Sequence, residues 1–332
     1  MNPELAIEVH RITKRFGDFT AVDAIDLEVR HGELFGVLGP NGAGKTTLVR
    51  MLTGIVPMTS GSAYVAGVDV ERDAAGVRRA IGVVSQALTS DVDLSAYENL
   101  DIYARFFDMS KSERGPRIEQ LLRTVGLWDR RKSLVKTYSG GMRRRLEIAR
   151  GLVHKPNVLF LDEPTIGLDP QSRHVIWDLL VDLRKGDDLT VSLTTHYLDE
   201  AEALCDRVAI VDHGRIVALG TPQELKARVP GSDTIDLSLE GSLPDARVTE
   251  LGALAGVRDV ARTSDGLRVR ADGGAALLPR LIEALRVDGV QVTAANLQRI
   301  SLEDVFIHFT GRSLREEAAP KGQAFAPPRR FT

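Results

Sequence analysis

The residues best suited to chemistry begin at a nine-residue run, Gly39, Pro40, Asn41, Gly42, Ala43, Gly44, Lys45, Thr46 and Thr47. It follows the β-type run ELFGVLG and opens the helix-patterned run KTTLVRMLTGI. That strand, loop and helix setting distinguishes a phosphate-binding loop from an ordinary glycine-rich turn. Glycines let the backbone curl so that successive N–H groups converge on one anion, and the positive end of the following helix adds to the field. Lys45 can then reach the outer phosphates as a point charge, while Thr46 offers its hydroxyl to Mg²⁺.

Two further segments extend this chemistry. VLFLDEP places Asp162 and Glu163 at the end of a four-residue apolar run, 117 residues after Lys45. Asp162 is expected to hold the cation, and Glu163 to take a proton from an attacking water. Taken alone, such a pair could equally be helix caps or solvated acids. YSGGMRRRLEIARGL, residues 138–152, sets Ser139, Gly140 and Gly141 at the start of an amphipathic helix. Ser139 can cap that helix, and the glycines leave its N–H groups uncovered, which makes a second anion site. One chain already holds its phosphates at Lys45, so a spare site suggests that a second copy closes over the first.

The order GPNGAGKT, Gln86, YSGGM, LFLDEP, GLDP and Thr195-His196 resembles the nucleotide-binding subunit of an ATP-binding-cassette transporter over about residues 5–225. The resemblance implies ATP and Mg²⁺ as cofactors and ATP hydrolysis as the reaction. It also implies roles for residues that say little alone. Phe16 is similar to the aromatic that stacks on adenine, although a core position would explain it nearly as well. Gln86 resembles the glutamine that senses Mg²⁺ and the terminal phosphate, and His196 the switch histidine. Asp169 resembles the residue that communicates across paired cassettes, or caps the helix beginning at Pro170. Tyr138 and Met142 stand where the commonest family form has Leu and Gln, so contacts from those two positions do not carry over.

The combination of SGGMRRR, a small domain after the cassette and the late SLEDVFIHFTGR resembles the ATPase subunits of daunorubicin-resistance and nodulation-factor exporters. This implies a separate integral-membrane permease, a second nucleotide-binding subunit forming a homodimer or a pair with a homologue, and a peripheral location on the cytoplasmic face of the membrane. The cargo implied is an amphipathic drug, lipid or oligosaccharide. A soluble cassette regulator, or one serving translation or repair, is the alternative.

The elements that must position these residues read as α/β. The expected architecture is an ATP-binding-cassette nucleotide-binding domain, a phosphate-loop core with an antiparallel β region and a helical subdomain, followed by a small C-terminal α+β domain. The boundaries are 1–230 for the first, with helices over about 87–150, then 231–310 for the accessory domain and a disordered tail over 311–332. NVLFLD and LTVSLTTH read as strands buried on both faces. RVAIVDHGRIVALG reads as a hairpin turning near Asp212–Arg215. Beyond residue 232, TIDLSL and LRVRA read as strands, AALLPRLIEALRV and SLEDVFIHFTG as helices.

Composition bounds the partners. The 332 residues carry 43 Lys+Arg against 46 Asp+Glu, a net charge of −3, which argues against nucleic acid as partner. A single cysteine excludes an internal disulfide and a multi-cysteine zinc site. MNPELAIEVHRITKRFG lacks a signal-peptide pattern, and charges interrupt every apolar run before 18 residues. Arg143, Arg144 and Arg145 are expected to form a solvated ridge, and Cys205 a buried, inert thiol. Tyr97, Leu100, Phe106 and Phe107 are assigned either to a groove that takes up a permease helix or to internal packing.

Overall fold

The computed structural model describes residues 2–186, 189–229, 233–241, 243–287 and 289–312. The tail read as disordered lies almost wholly outside them, as do Pro230 and Gly231. The described chain divides into two compact units: one runs to Pro222 and takes up the chain again from Phe309, and the other holds Gln223–His308.

The first unit opens with β1 (Leu5–Phe16), β2 (Phe19–Arg30) and β3 (Leu34–Leu38), then α1 (Lys45–Leu52), β4 (Ser60–Val65), β5 (Val68–Asp69), α2 (Ala74–Ala80) and β6 (Ile81–Val84). Three helices follow, α3 (Ala96–Phe106), α4 (Lys111–Thr124) and α5 (Gly140–Gly151). The chain then returns through β7 (Val158–Asp162), α6 (Pro170–Gly186), β8 (Thr190–Thr195), α7 (Leu198–Leu204), β9 (Arg207–Asp212) and β10 (Arg215–Gly220). Helix α8 (Pro222–Ala227) starts at this unit's last residue before the second unit and lies otherwise in that second unit. The hairpin turn falls where the sequence places it, between Asp212 and Arg215.

Two sheets form around α1. One has order β2-β1-β4-β5 and is antiparallel; the other has order β10-β9-β3-β8-β7-β6, parallel throughout except for the β9/β10 hairpin. Every residue of β3, β7 and β8 is buried. That is why these strands read as continuous apolar runs rather than alternating ones: helices cover both faces of a parallel sheet. Between the sheets, Ile7, Ile12, Val29, Phe35, Met51, Leu52 and Phe160 form one core. Cys205 is buried against Gly36 and burial pushes its thiol well above the ordinary range, as expected of an inert side chain.

Helix α3 begins at a capping box in which Ser95 and Glu98 satisfy each other's backbone N–H, and Ser110 with Glu113 does the same for α4. Among the described residues, no helix is long and apolar enough to cross a membrane.

The second unit contains β11 (Asp233–Glu240), α9 (Asp245–Gly252), β12 (Val257–Arg262), β13 (Gly266–Ala271), α10 (Gly274–Val287), β14 (Gln291–Gln298) and most of α11 (Leu302–Thr310). Its antiparallel sheet has order β12-β13-β11-β14, and Ile235, Leu237, Leu267, Val269, Leu281 and Leu285 make a core of its own. Strands β12 and β14 and helix α9 add to the two strands and two helices legible in the sequence.

Candidate active site

Parallel pairing decides where the site lies. Leu38 of β3 pairs with Thr195 of β8, and Asp162 of β7 with Thr194 of β8, so the carboxyl ends of three adjacent strands finish at one level. The loop 39–47 leaves β3, Glu163 leaves β7 and His196 leaves β8. Three segments far apart in the chain therefore meet at the crevice where open α/β sheets bind ligands.

The loop's shape depends on its glycines at two positions. A Cβ at Gly39 would lie 2.2 Å from the carbonyl oxygen of Val211. Gly44 has φ +106°, and a Cβ there would lie 2.4 Å from the carbonyl oxygen of Ala21. Lys45, only 5% exposed, begins α1; its Nζ donates to the carbonyl oxygens of Gly39 at 2.7 Å and Pro40 at 3.0 Å. The same ammonium lies 3.2 Å from Glu163 Oε1. Burial depresses the lysine's pKa, and the Glu163 charge opposes that loss.

Asp162 and Glu163 are both buried and held by β8. Thr194 Oγ1 donates to Asp162 Oδ1 at 2.6 Å and accepts from the Glu163 N–H at 3.0 Å. Thr46 Oγ1 also donates to Asp162 Oδ1, at 3.1 Å, which ties the phosphate loop to the acidic pair. Glu163 occupies the left-handed region at φ +51°, a strained conformation for a residue with a Cβ and one that concentrates at functional sites. Its Oε2 lies 2.6 Å from Nδ1 of His196. Burial alone would raise the Glu163 pKa, but the His196 hydrogen bond and the Lys45 charge outweigh it and hold the carboxyl below its ordinary value. An ionised Glu163 requires Nδ1–H as the donor, so Nε2 is left as the ring's second polar atom. Lys45, Thr46, Asp162, Glu163 and His196 thus form one cluster that can bind an anion, hold a hard cation and accept a proton.

The other candidate residues stand apart from this cluster. Phe16, 51% exposed at the end of β1, has the Lys14 ammonium 5.0 Å from its ring centre. Gln86 is exposed, and no hydrogen bond among the described residues joins its side chain to the cluster. Ser139 caps α5, its Oγ accepting from the Met142 N–H at 3.3 Å. Gly140 is exposed, while Gly141 faces Ser172 so closely that a Cβ would meet its Oγ at 2.8 Å. Asp169 caps α6 by accepting from the Ser172 N–H at 2.9 Å. Helix α5 packs on α3, α4, β6 and α6, none of which carries residues 39–47.

One expectation needs correction. Arg143–Arg145 is no solvated ridge: Arg144 is buried with its guanidinium on the carbonyl oxygens of Ser85 and Gln86, and Arg145 donates to the carbonyl of Val125 at 2.6 Å. A run of three consecutive helical residues necessarily spans more than half the helix circumference, and α5 is covered on most sides. Of the residues assigned to a groove or to internal packing, Leu100 and Phe107 follow the second, Leu100 in the core and Phe107 stacked on His154 at 3.6 Å between ring centres, whereas Phe106 is 77% exposed.

Some contributors left little trace in the sequence. Thr194 is one of several hydroxyls in the buried run TVSLTT, and a hydroxyl inside a buried strand was the available signal. Glu200 of α7 is fully buried; its Oε1 accepts from Thr165 Oγ1 at 2.8 Å and Trp177 Nε1 at 3.1 Å. Thr165 follows Glu163 by two residues.

A parallel sheet with a glycine-rich loop, an acidic pair and a histidine at the carboxyl ends of its strands, beside an antiparallel sheet and a helical region, defines an ATPase of the ATP-binding-cassette class. Comparison with known proteins places the chain within that class. Residues 22–166 match the ABC transporter family, and residues 220–310 match the family described as ATP-binding protein DrrA1-3-like, C-terminal domain. The chain belongs to the ABC transporter ATP-binding proteins that carry this C-terminal domain. It is 41% identical over 319 residues to the daunorubicin resistance ATP-binding protein DrrA3 of Streptomyces coeruleorubidus, covering 95% of this chain and 99% of that one. It is 40% identical over 318 residues to the Nod factor export ATP-binding protein I of Paraburkholderia xenovorans, covering 95% and 100%. Among solved structures, cbiO1 from Clostridium perfringens, part of the ABC transporter complex cbiONQ, superposes with TM-score 0.62 at 30% identity over 68% of this chain and 92% of that chain. The ATP-binding cassette MJ0796, solved as a dimer in a post-hydrolysis state with ADP and Pi, superposes with TM-score 0.59 at 26% identity over 65% and 98%.

Proposed function

We propose that this chain is the ATP-hydrolysing subunit of an exporter whose permease is a separate integral-membrane protein, and that two copies of it clamp ATP between them. Each nucleotide would contact the 39–47 loop and Phe16 of one copy and Ser139, Gly140 and Gly141 of the other, with Asp169 at the seam. That α5 packs on α3, α4, β6 and α6 rather than on α1, which carries Lys45–Thr47, supports this reading, because the exposed helix start at Ser139 and Gly140 then has no phosphate of its own chain to bind. The dimeric MJ0796 cassette and the exporter relatives support it further. The cargo in this reading is an amphipathic drug, lipid or oligosaccharide and the location the cytoplasmic face of the membrane; relatives named for daunorubicin resistance and Nod factor export support the cargo.

Thr46 Oγ1 and Asp162 Oδ1, 3.1 Å apart, are hard oxygen donors, which fits Mg²⁺ held by few protein ligands, with Gln86 as a further one. Bound there, the cation would neutralise charge on the outer phosphates. The chain's own residues do the rest. Lys45 binds and orients the phosphates, Glu163 accepts the proton of the attacking water, and His196 keeps Glu163 aligned and holds the water from the second strand end.

The observation that carries this function is Glu163, ionised and clamped between Lys45 and His196. Glu163→Gln should lower turnover by about 10²–10⁴-fold while ATP still binds, since a general base contributes that much. Lys45→Ala should instead weaken ATP binding, read by equilibrium titration. Steady-state hydrolysis by Glu163→Gln at the wild-type rate would remove Glu163 from the role of base and overturn the assignment.

A further inference from the structure

We propose that Arg144 and Glu147 are positioning residues for hydrolysis: from the helix that starts at Ser139 they hold the backbone around Gln86, so that Gln86 and the Ser139 anion site keep one fixed spacing. The inference rests on the reading of Gln86 as a nucleotide-sensing residue and adds what aims it.

Arg144, Glu147 and Arg150 recur every three residues and so share one face of α5. Arg144 is 3% exposed and Glu147 4%. The Arg144 guanidinium donates through Nη1 to the Ser85 carbonyl at 2.7 Å and through Nη2 to the Gln86 carbonyl at 2.8 Å. One turn further, Glu147 Oε1 accepts from the N–H groups of Thr89 at 2.9 Å and Ser90 at 2.6 Å, and Oε2 accepts from Thr89 Oγ1 at 2.8 Å. Arg150 Nη1 closes the arrangement with 2.9 Å to Thr89 Oγ1 and 3.0 Å to Glu147 Oε2. Each arginine or glutamate contact is charge-assisted, roughly twice as strong as a neutral hydrogen bond.

Four of these bonds, two from Arg144 and two to Glu147, go to backbone, at the two ends of the segment 85–90. A helix that only needed to pack would cover this segment with apolar side chains; here it spends two buried charges on main-chain groups. Gln86 is thereby fixed at its carbonyl, while its side chain stays exposed and able to turn. On the far side, Asn99 of α3 holds Asp91 by its N–H at 2.8 Å and its carbonyl at 2.9 Å, so the segment is gripped by two helices of the same region. Any displacement of Gln86 toward a nucleotide carries α5, and Ser139–Gly141 at its start, along with it.

The test is a double-mutant cycle on the full chain, reading kcat and KM for Mg²⁺-ATP together with the melting temperature. Arg144→Met keeps the aliphatic stem and removes both donors. It should lower kcat by roughly 10- to 100-fold, the effect of a displaced active-site group, with KM for ATP little changed. Gln86→Ala should also slow turnover. Because Arg144 acts through Gln86, the double variant should turn over within about twofold of Gln86→Ala alone, whereas independent sites would multiply their losses. Multiplying losses, or Arg144→Met with wild-type kcat, overturn the proposal and leave the hydrolysis assignment standing. Wild-type turnover by Gln86→Ala removes Gln86 from the reaction and the proposal with it. Should Arg144→Met not fold, Glu147→Gln takes its place in the same cycle, with the same two outcomes deciding.

Discussion

At the scale of single residues, the buried acids of this protein divide by environment. Glu163 is kept ionised by His196 and Lys45, whereas burial pushes the Glu200 carboxyl up from its ordinary 4.5, with Thr195, Thr165 and Trp177 only partly restoring it. The sign of the consequence follows. An acid whose pKa is raised on folding contributes stability in its protonated form, fully below the unfolded value and progressively less as pH rises from 4.5 toward the folded value. Glu200→Gln keeps the shape and an acceptor for Thr165 and Trp177 without that loss. In urea melts, the variant should therefore gain stability relative to wild type as pH climbs above 4.5 and then reach a plateau; a difference independent of pH would show that Glu200 does not titrate in this window. Lys45, Asp162 and Glu163 were legible as candidates for one cluster because each lies in a contiguous motif. Glu200, Thr194 and Arg144 were not, since their partners Thr165, Asp162 and Gln86 stand 32 to 58 positions away in the chain.

Among the elements, α5 and α6 meet where only glycine fits. Gly141 faces Ser172, whose N–H is taken by Asp169, so the start of one helix is seated on the cap of the other. Gly141→Ala should force the two apart and cost about 1–3 kcal/mol, as overpacking does. Gly140→Ala, whose Cβ would meet nothing nearer than Leu168 at 3.4 Å, should cost less; equal denaturation midpoints for the two variants would refute the packing argument. The same reasoning explains which elements showed in the sequence. Strands β7 and β8 are buried on both faces and spell out continuous apolar runs. Strands β12 and β14 are mostly exposed edges of their sheet, and VRDVAR or QVTAANLQ has neither a run nor an alternation to announce it.

For the whole molecule, two separate cores carry the two units, one around Met51 and Phe160 and the other around Leu237 and Leu281. Leu281→Ala should cost the second unit about 2–5 kcal/mol, the range for emptying a buried leucine site. A urea titration should show that loss in a transition insensitive to ATP, because the candidate nucleotide residues all lie before Pro222. A shift of the ATP-sensitive transition by the same amount would show the cores to be one cooperative unit.

The backbone at position 163 sets stability against turnover. A glycine would adopt φ +51° freely, while glutamate forgoes about 1–2 kcal/mol to sit there. Selection for heat resistance alone would thus drift toward removing the carboxylate proposed as the base, so any thermostabilised form of this ATPase has to be chosen with hydrolysis under simultaneous selection.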